Sequence, residues 1–457
     1  MVMALISPGV MAEEFRVATF NTSLFRGSAG ELASELANPG SRDPQMVAEI
    51  IQRVRPDVIL LNEFDYDASG TALERFHEHF LMVGQGGQAP IEYPFRFVAE
   101  SNTGITSCHD LNNDGRIRKR VPGPGDTEGY RQAYGADCFG FGVHPGQYGM
   151  AVLSRFPLLA DGRRTFQQFL WKDMPGARLP DIAVTPTPMD WYSPAELETF
   201  RLSSKSHWDL PFDVGGTVVH LLAAHPTPPT FDGGEDRNGL RNHDEIRLWA
   251  DYVLPGGGNY LYDDAGKFGG IGEGIRFVIC GDYNADPEAG QSVDRAILQL
   301  LDHPSVNASF TPLAASGRSE TSSFGLRVDY VLPSQAGLRI DDGAIFWPGP
   351  GQPGANLIGV SDHRLVWMDL SLIPLIGEVV EDLRVELDGG DVILRWRATG
   401  GDGVAYRVRR SEDLSSWIFL DEGGVELDGE MASFRDAGAA ELPGRRYYQV
   451  VAEFTDD

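Results

Sequence analysis

Residues 16–20 (RVATF) alternate apolar and polar and end at Asn21, the pattern of a strand that runs into a loop. Asp43-Pro44 then supplies a helix N-cap followed by proline at the first helical position. Met46, Val47, Ile50, Ile51 and Val54 recur at helical spacing and make one apolar stripe. Pro56 ends that helix, and DVILL at 57–61 reads as the next buried strand, closing on Asn62-Glu63. Strand, helix and strand in this order form a crossover that carries Asn21 and Glu63 to one edge of a sheet.

The same grammar continues. YGMAVLSRFPL (148–158) and TVVHLLAAH (217–225) predict strands, the second closing on His225. A helix is predicted over about 242–254, with Ile246, Trp249, Ala250 and Val253 on one face, and another near 291–301. FVIC (277–280) is a short apolar run bounded by Gly281 and Pro287, as in a central strand buried on both faces. Its end offers Asp282 and Asn284, either as site residues or as an Asx-rich turn. LRVDYVLP (326–333) and GVSDHRLVWMDL (359–370) predict two more strands, bearing Asp329 and the pair Asp362-His363. From about 100 to 147 apolar residues thin out and Gly and Asp abound, which predicts an insertion or lid.

Past residue 372 the character changes. IPLIGEVVED reads as a linker, and 383–457 shows short alternating strands: DVILRWRA, VAYRVRR, SSWIFL and RRYYQVVAEF. This stretch resembles a fibronectin type III or related immunoglobulin-like β-sandwich, with Trp396, Tyr406 and Tyr448 in core positions and a final edge strand missing. It carries no catalytic constellation, so a spacer or adhesion module is expected.

With 457 residues, 42% of them hydrophobic, the chain has ample material for a core and room for more than one domain. A net charge of −28 repels polyanions, so nonspecific clamping of nucleic acid is disfavoured. No apolar run reaches the roughly 18 residues needed to span a bilayer. Residues 1–13, MVMALISPGVMAE, form a short apolar segment with small residues at Val10 and Ala12, readable as the remnant of a signal peptide or as a frayed terminus. The first reading implies a secreted or periplasmic protein. Cys280 lies in an apolar run, whereas Cys108 and Cys138 flank the insertion and would suit a disulfide in an exported chain. Inside the insertion, Asp110, Asn112 and Asp114, followed by Gly115, have the oxygen spacing of a calcium loop, although Val121 stands where its twelfth-position acid belongs. A solvated Asx turn is the alternative for that segment.

Collected in order, the strand-end polar residues are Asn21, Glu63, His225, Asp282, Asn284, Asp329, Asp362 and His363. A hard cation such as Mg²⁺ or Mn²⁺ takes carboxylate and amide oxygens, which Glu63, Asp362 and Asn21 would supply. Asp282 with Asn284 would align and deprotonate a water and hold a phosphate. His363 would act as general base or, protonated, as an electrostatic stabiliser, with Asp329 fixing its tautomer. His225 is the candidate for protonating a leaving group. Together the set suits hydrolysis of a phosphate ester.

The motifs TFNTS (19–23), LLNEF (60–64), AAH (223–225), GDYNADP (281–287), RVDYVL (327–332) and SDHRLV (361–366) occur in the order found in the endonuclease/exonuclease/phosphatase superfamily, which residues 14–372 resemble. The resemblance implies an α/β (α+β) four-layer sandwich of two mixed β-sheets flanked by helices, with the site at one edge. It implies Glu63 and Asp362 on the metal, Asp282 and Asn284 at the water and phosphate, and an Asp329–His363 pair. Asn62 replaces the family's commoner Gln, and the acidic partner of His225 is not identifiable from sequence.

The expected substrate is a small phosphate ester, hydrolysed by a phosphatase or phosphodiesterase. A nuclease of the same mechanism is the alternative, and the basic stretch Arg116-Ile-Arg118-Lys119-Arg120 is either a phosphate grip or a solvated face. A dead enzyme serving as a binding or adhesion protein is disfavoured, since Glu63, Asp282 and His363 are all present.

Overall fold

The computed structural model describes residues 13–182, 185–373, 380–399, 404–411, 418–420, 424–437, 439 and 447–454. The chain divides into Glu14–Ser371 and a second unit that begins at Leu372. In the first unit the strands are β1 (Glu14–Leu24), β2 (Val58–Phe64), β3 (Phe95–Phe97), β4 (Met150–Ser154), β5 (Arg164–Thr165), β6 (His207–Val214), β7 (Thr217–Ala224), β8 (Phe277–Asp282), β9 (Asp329–Pro333), β10 (Leu338–Ile345) and β11 (Val366–Leu372). They form a six-stranded sheet, ordered β10-β11-β1-β2-β4-β3, and a five-stranded sheet, ordered β5-β6-β7-β8-β9.

Each sheet is mixed. β1 and β2 run parallel, with Asn21 opposite Asn62. β7 and β8 are also parallel, with Ala224 opposite Gly281. β9 lies antiparallel to β8, so that Asp282 faces Asp329. Parallel strands end at the same edge, and an antiparallel neighbour begins there. The carboxyl ends of β1, β2, β7 and β8 and the start of β9 therefore deliver their polar residues to one rim.

The sheets face each other: the Phe15 ring of β1 meets the Phe212 ring of β6 edge-on at 6.0 Å. Helices cover the outer faces and complete the four layers. The Arg42–Val54 helix buries Val47, Ile50, Ile51 and Val54 against Ala18, Phe20, Ile59 and Leu61. Its N-cap is Ser41 rather than the expected Asp43, so Pro44 is its third residue. Pro44 is tolerated there because the first-turn amides have no intrahelical acceptor. On the opposite face, the Arg237–Val253 helix packs Ile246, Trp249 and Val253 against Leu222, Ile279 and Leu332. Burial of each such side chain is worth roughly 1.5–3 kcal/mol. This helix starts five residues before the predicted position, because its first turns bury Arg241, Asn242 and Asp244 instead of apolar residues.

The predicted 291–301 helix is only a 3₁₀ turn at Val293–Arg295 and an α-turn at Leu298–Leu301. Asp294 and Arg295, with φ of 48° and 54°, break it. The last strand begins at Val366 rather than 359, leaving Asp362 and His363 on the loop before it.

In the insertion, the Glu128–Ala136 helix is capped by Thr127, whose hydroxyl accepts from the Tyr130 amide at 3.2 Å. Cys108 and Cys138, which would suit a disulfide in an exported chain, are both free: Cys138 is buried with its thiol 3.2 Å from the Tyr134 carbonyl oxygen, while Cys108 is exposed. Asp110 accepts from the amides of Asp114 and Gly115, and Asp114 is paired with Arg118 at 2.5 Å, the arrangement of a locally satisfied Asx turn.

The second unit is all-antiparallel, with β12 (Val380–Asp388), β13 (Asp391–Ala398), β14 (Val404–Ser411), β15 (Ile418–Phe419), β16 (Glu426–Asp428), β17 (Met431–Asp436) and β18 (Tyr447–Phe454). They pair in the orders β12-β13-β17-β16 and β15-β14-β18 around Leu394, Trp396, Val408 and Phe434, with the Trp396 and Tyr406 rings 5.9 Å apart. The segment predicted as a linker reaches 382, yet β12 already begins at Val380, while 374–379 fall outside the described residues. The predicted leader at 1–13 also lies outside them apart from Glu13. Among the described residues no helix is long and apolar enough to cross a membrane.

Candidate active site

At the rim the strands leave regular geometry. Ser23, Glu63 and Asn284 hold φ values of 51°, 54° and 53°, a left-handed conformation costly for side chains other than glycine and concentrated at functional sites. These backbone turns aim their side chains at one place.

Asp282 is the hub. Its Oδ2 accepts from Asn21 Nδ2 at 3.1 Å and lies 3.4 Å from His225 Nε2 and 3.6 Å from His363 Nε2. Its Oδ1 accepts the Asn284 amide at 3.0 Å. Asp282 is therefore the acidic partner of His225 that sequence could not locate. His363 Nδ1 lies 2.8 Å from Asp329 Oδ2, and that oxygen also accepts from the Thr321 hydroxyl at 2.7 Å. The Asn284 side-chain amide donates to the Pro226 carbonyl at 3.1 Å, which ties its loop to the end of β7 and leaves one N–H free to meet a ligand.

Burial and mutual charge set the protonation states. Burial pushes Glu63 up to about 7, against the hydrogen bond from Asn21 and the charge of His363. Asp282 is also raised, by burial and by the charge of Asp329. Burial alone would lower His363, but Asp329, Asp282 and Asp362 outweigh it and carry the imidazole to about 10, so it is a cation at neutral pH. His225 is driven well below its ordinary value by burial, then by the charges of Lys205 and His363, and is neutral. A neutral His225 can donate a hydrogen bond from Nε2.

Asp282, Asp329 and His363 each place a potential ligand atom within 4.8 Å of the others. Among the described residues Asp329 Oδ1 is buried with no hydrogen-bond partner, and Glu63 is a half-buried carboxyl group hydrogen-bonded to Asn21. An oxygen-rich set with an orphaned carboxylate oxygen fits a hard divalent ion. Asp362 reaches the same rim but is exposed, 3.4 Å from the Ser23 hydroxyl, and stands apart from that cluster. Ser361 joins the two sides by donating to the Asn21 carbonyl at 2.7 Å and accepting the His363 amide at 3.0 Å. Asp110, Asn112 and Asp114 belong to the insertion's own turn. Sequence reasoning missed Thr321, Ser361 and Lys205, whose importance arises only from contacts across the fold.

A rim of carboxylates, imidazoles and amides at the end of two facing mixed sheets defines the class of a metal-dependent phosphoester hydrolase. Residues 18–363 match the sequence profile of the endonuclease/exonuclease/phosphatase family, and the chain belongs to that family. The search of curated proteins finds no match. Among solved structures, the chain is similar to an endonuclease/exonuclease/phosphatase from Beutenbergia cavernae, with 17% identity over 96% of this chain and 92% of that one, and a TM-score of 0.44. It is also similar to sphingomyelinase C from Streptomyces griseocarneus, with 14% identity over 78% and 99% of the two chains and a TM-score of 0.39. A family protein from Leptotrichia buccalis matches at 12% identity over 78% and 98%, with a TM-score of 0.40.

Proposed function

We propose that this protein is an exported phosphatase or phosphodiesterase that hydrolyses small phosphate esters by attack of water on phosphorus, with Mg²⁺ or Mn²⁺. The observation that carries the reading is the convergence on Asp282 Oδ2 of Asn21, His225 and His363 within 3.6 Å, backed by the Asp329–His363 pair. Glu63 and Asn21 would hold the metal, with Asp362 as the third expected ligand. The bound ion would neutralise phosphoryl and leaving oxygens.

Asp282 orients the water and takes its proton. Its raised proton affinity makes it a stronger base than a surface carboxylate. His363, held charged by Asp329, donates from Nε2 to a phosphoryl oxygen whose charge grows in the transition state. Asn284 contributes its remaining N–H to the phosphate. His225, neutral, donates to Asp282 or to the leaving oxygen.

Two features tilt the reading away from nucleic acid. The net charge is −28, and within the basic stretch Arg118 is paired with Asp114 and Arg120 with Asp126 at 2.6 Å. A structural Ca²⁺ at Asp110, Asn112 and Asp114 is left out of the proposal, because Asp114 is taken up by Arg118. Secretion rests on the apolar segment at 1–13, and a spacer role for the fibronectin type III-like C-terminal sandwich rests on its lack of a catalytic cluster.

The test is a panel of nitrophenyl phosphate, bis-nitrophenyl phosphate, inositol phosphates, phospholipids, RNA and plasmid DNA, each assayed with and without divalent metal. Metal-dependent turnover of the small esters, abolished by Asp282→Ala, is expected. Undiminished activity in excess chelator or in Asp282→Ala would overturn the mechanism, and turnover confined to DNA or RNA would overturn the substrate class.

A further inference from the structure

Lys205 lies two residues before β6, with only 6% of its surface exposed. Among the described residues its ammonium makes no hydrogen bond and no ion pair within 4 Å, although its backbone carbonyl accepts from Asn102 at 2.8 Å. An ammonium in so enclosed a place, with no ion-pair partner, strongly favours an anion that can reach it.

The surroundings say where that anion sits. His207 of β6 pairs with Ala224 of β7, so the residues before β6 and after β7 leave the sheet side by side. Glu245, on the Arg237–Val253 helix, fastens them there: one carboxylate oxygen accepts the Ser204 amide at 2.5 Å and the other the Thr227 amide at 2.7 Å. The Ser204 hydroxyl also donates to the His225 carbonyl at 3.4 Å. Lys205 is thus held beside His225. Its charge acts on Glu63 and His225, and in turn the carboxylates of Glu245, Glu63 and Asp282 act on it. Burial lowers its proton affinity, and its ammonium faces the catalytic carboxylates yet is paired with none of them.

We propose that Lys205 is a substrate-binding residue whose ammonium takes a non-bridging phosphoryl oxygen of the bound ester, on the His225 side of the site and across from His363. This rests on the reading of the chain as a phosphoester hydrolase. No bond is made or broken by Lys205: it donates N–H to an anionic oxygen. The two cationic donors, Lys205 and His363, would then hold the phosphoryl group between them while Asp282 lies free to meet the water. Glu245 acts as a positioning residue, through the loop that carries Lys205.

The test separates binding from turnover. Affinity for inorganic phosphate is measured calorimetrically with Mg²⁺ present on the full chain, alongside kcat and KM on nitrophenyl phosphate. For Lys205→Met we expect phosphate affinity to fall at least tenfold and kcat/KM by a similar factor, with Mg²⁺ affinity unchanged. Lys205→Arg should recover part of both. Phosphate affinity within twofold of the parent in Lys205→Met would overturn the proposal. If that variant does not fold, Lys205→Gln is judged on the same two readouts. If neither folds, failure of inorganic phosphate to raise the melting temperature of the parent overturns it. A parent that binds phosphate in a Lys205-dependent way yet hydrolyses nothing in the panel would sink the hydrolase reading and leave the phosphate site standing.

Discussion

His363 Nδ1 lies 2.8 Å from Asp329 Oδ2, and the Thr321 hydroxyl donates to that same oxygen at 2.7 Å. The carboxylate is thereby pinned from the far side, and the imidazole can only present Nε2 to the site. Replacing the carboxylate with an amide removes the charge that holds His363 protonated and lets the amide donate where it should accept. Asp329→Asn is expected to lower kcat by roughly 10²–10⁴-fold with KM little changed. A kcat within threefold of the parent would show that the pair does not serve the chemistry.

Gly281 explains why FVIC ends on a glycine before Asp282. A Cβ there would lie 2.0 Å from the Ala224 carbonyl oxygen on the adjacent strand β7, a contact no rotamer can relieve. Gly281→Ala must spread β7 from β8 at the point where His225 and Asp282 meet. The expected cost is about 3 kcal/mol or more, at the upper end for overpacking, together with loss of activity. Chemical denaturation measures the first, and an unchanged midpoint would contradict it.

Sequence shows the strands that are buried on both faces, because DVILL and FVIC leave no polar position to confuse the pattern. It hides β6, whose buried His207 and Asp209 interrupt the apolar run; Asp209 is satisfied by Tyr252 and His220, partners remote in sequence. The start of the Arg237–Val253 helix is hidden for the same reason, since Arg241 and Asn242 spend their donors on carbonyls of other segments. Asn21, His225, Asp282, Asn284 and His363 stand out in sequence because each is polar just where an apolar run stops. Lys205 does not. Its neighbours in SSKSH are all polar, and its isolation becomes visible only when the loops are folded together. The pairing of His225 with Asp282 is equally a product of the β7–β8 register, which no single segment encodes.

Acid sensitivity should trace in part to His207. Its ring lies 2.7 Å from the Ser203 hydroxyl and 2.9 Å from the Glu245 carbonyl oxygen. Burial lowers it from 6.5 to about 4, the hydrogen bond to the Glu245 carbonyl opposing only in part. The unfolded chain therefore binds a proton at His207 that the folded chain refuses between those values. Stability is full above pH 6.5 and declines as pH falls toward 4, by about 3 kcal/mol in total. His207→Gln should lose less stability than the parent on passing from pH 7 to pH 4.5. Parallel losses in the two proteins, measured by urea titration at each pH, would assign the acid sensitivity elsewhere.

Glu63 works in the opposite sense. Burial raises its carboxyl from 4.5 to about 7, so the unfolded chain gives up this proton first and the folded protein is penalised as pH rises through that interval. Above pH 7 the penalty reaches about 3 kcal/mol, the cost of keeping an anion there ready for a cation. A bound divalent ion supplies the missing charge and stabilises the folded state by mass action. Metal-free Glu63→Gln is therefore expected to melt at or above the parent at pH 8, while Mg²⁺ raises the melting temperature of the parent and leaves the variant almost unmoved. Calorimetric scans with and without Mg²⁺ decide this. An equal rise in both proteins would remove Glu63 from the metal site, and a metal-free variant melting well below the parent would show that the carboxylate serves the fold rather than the ion.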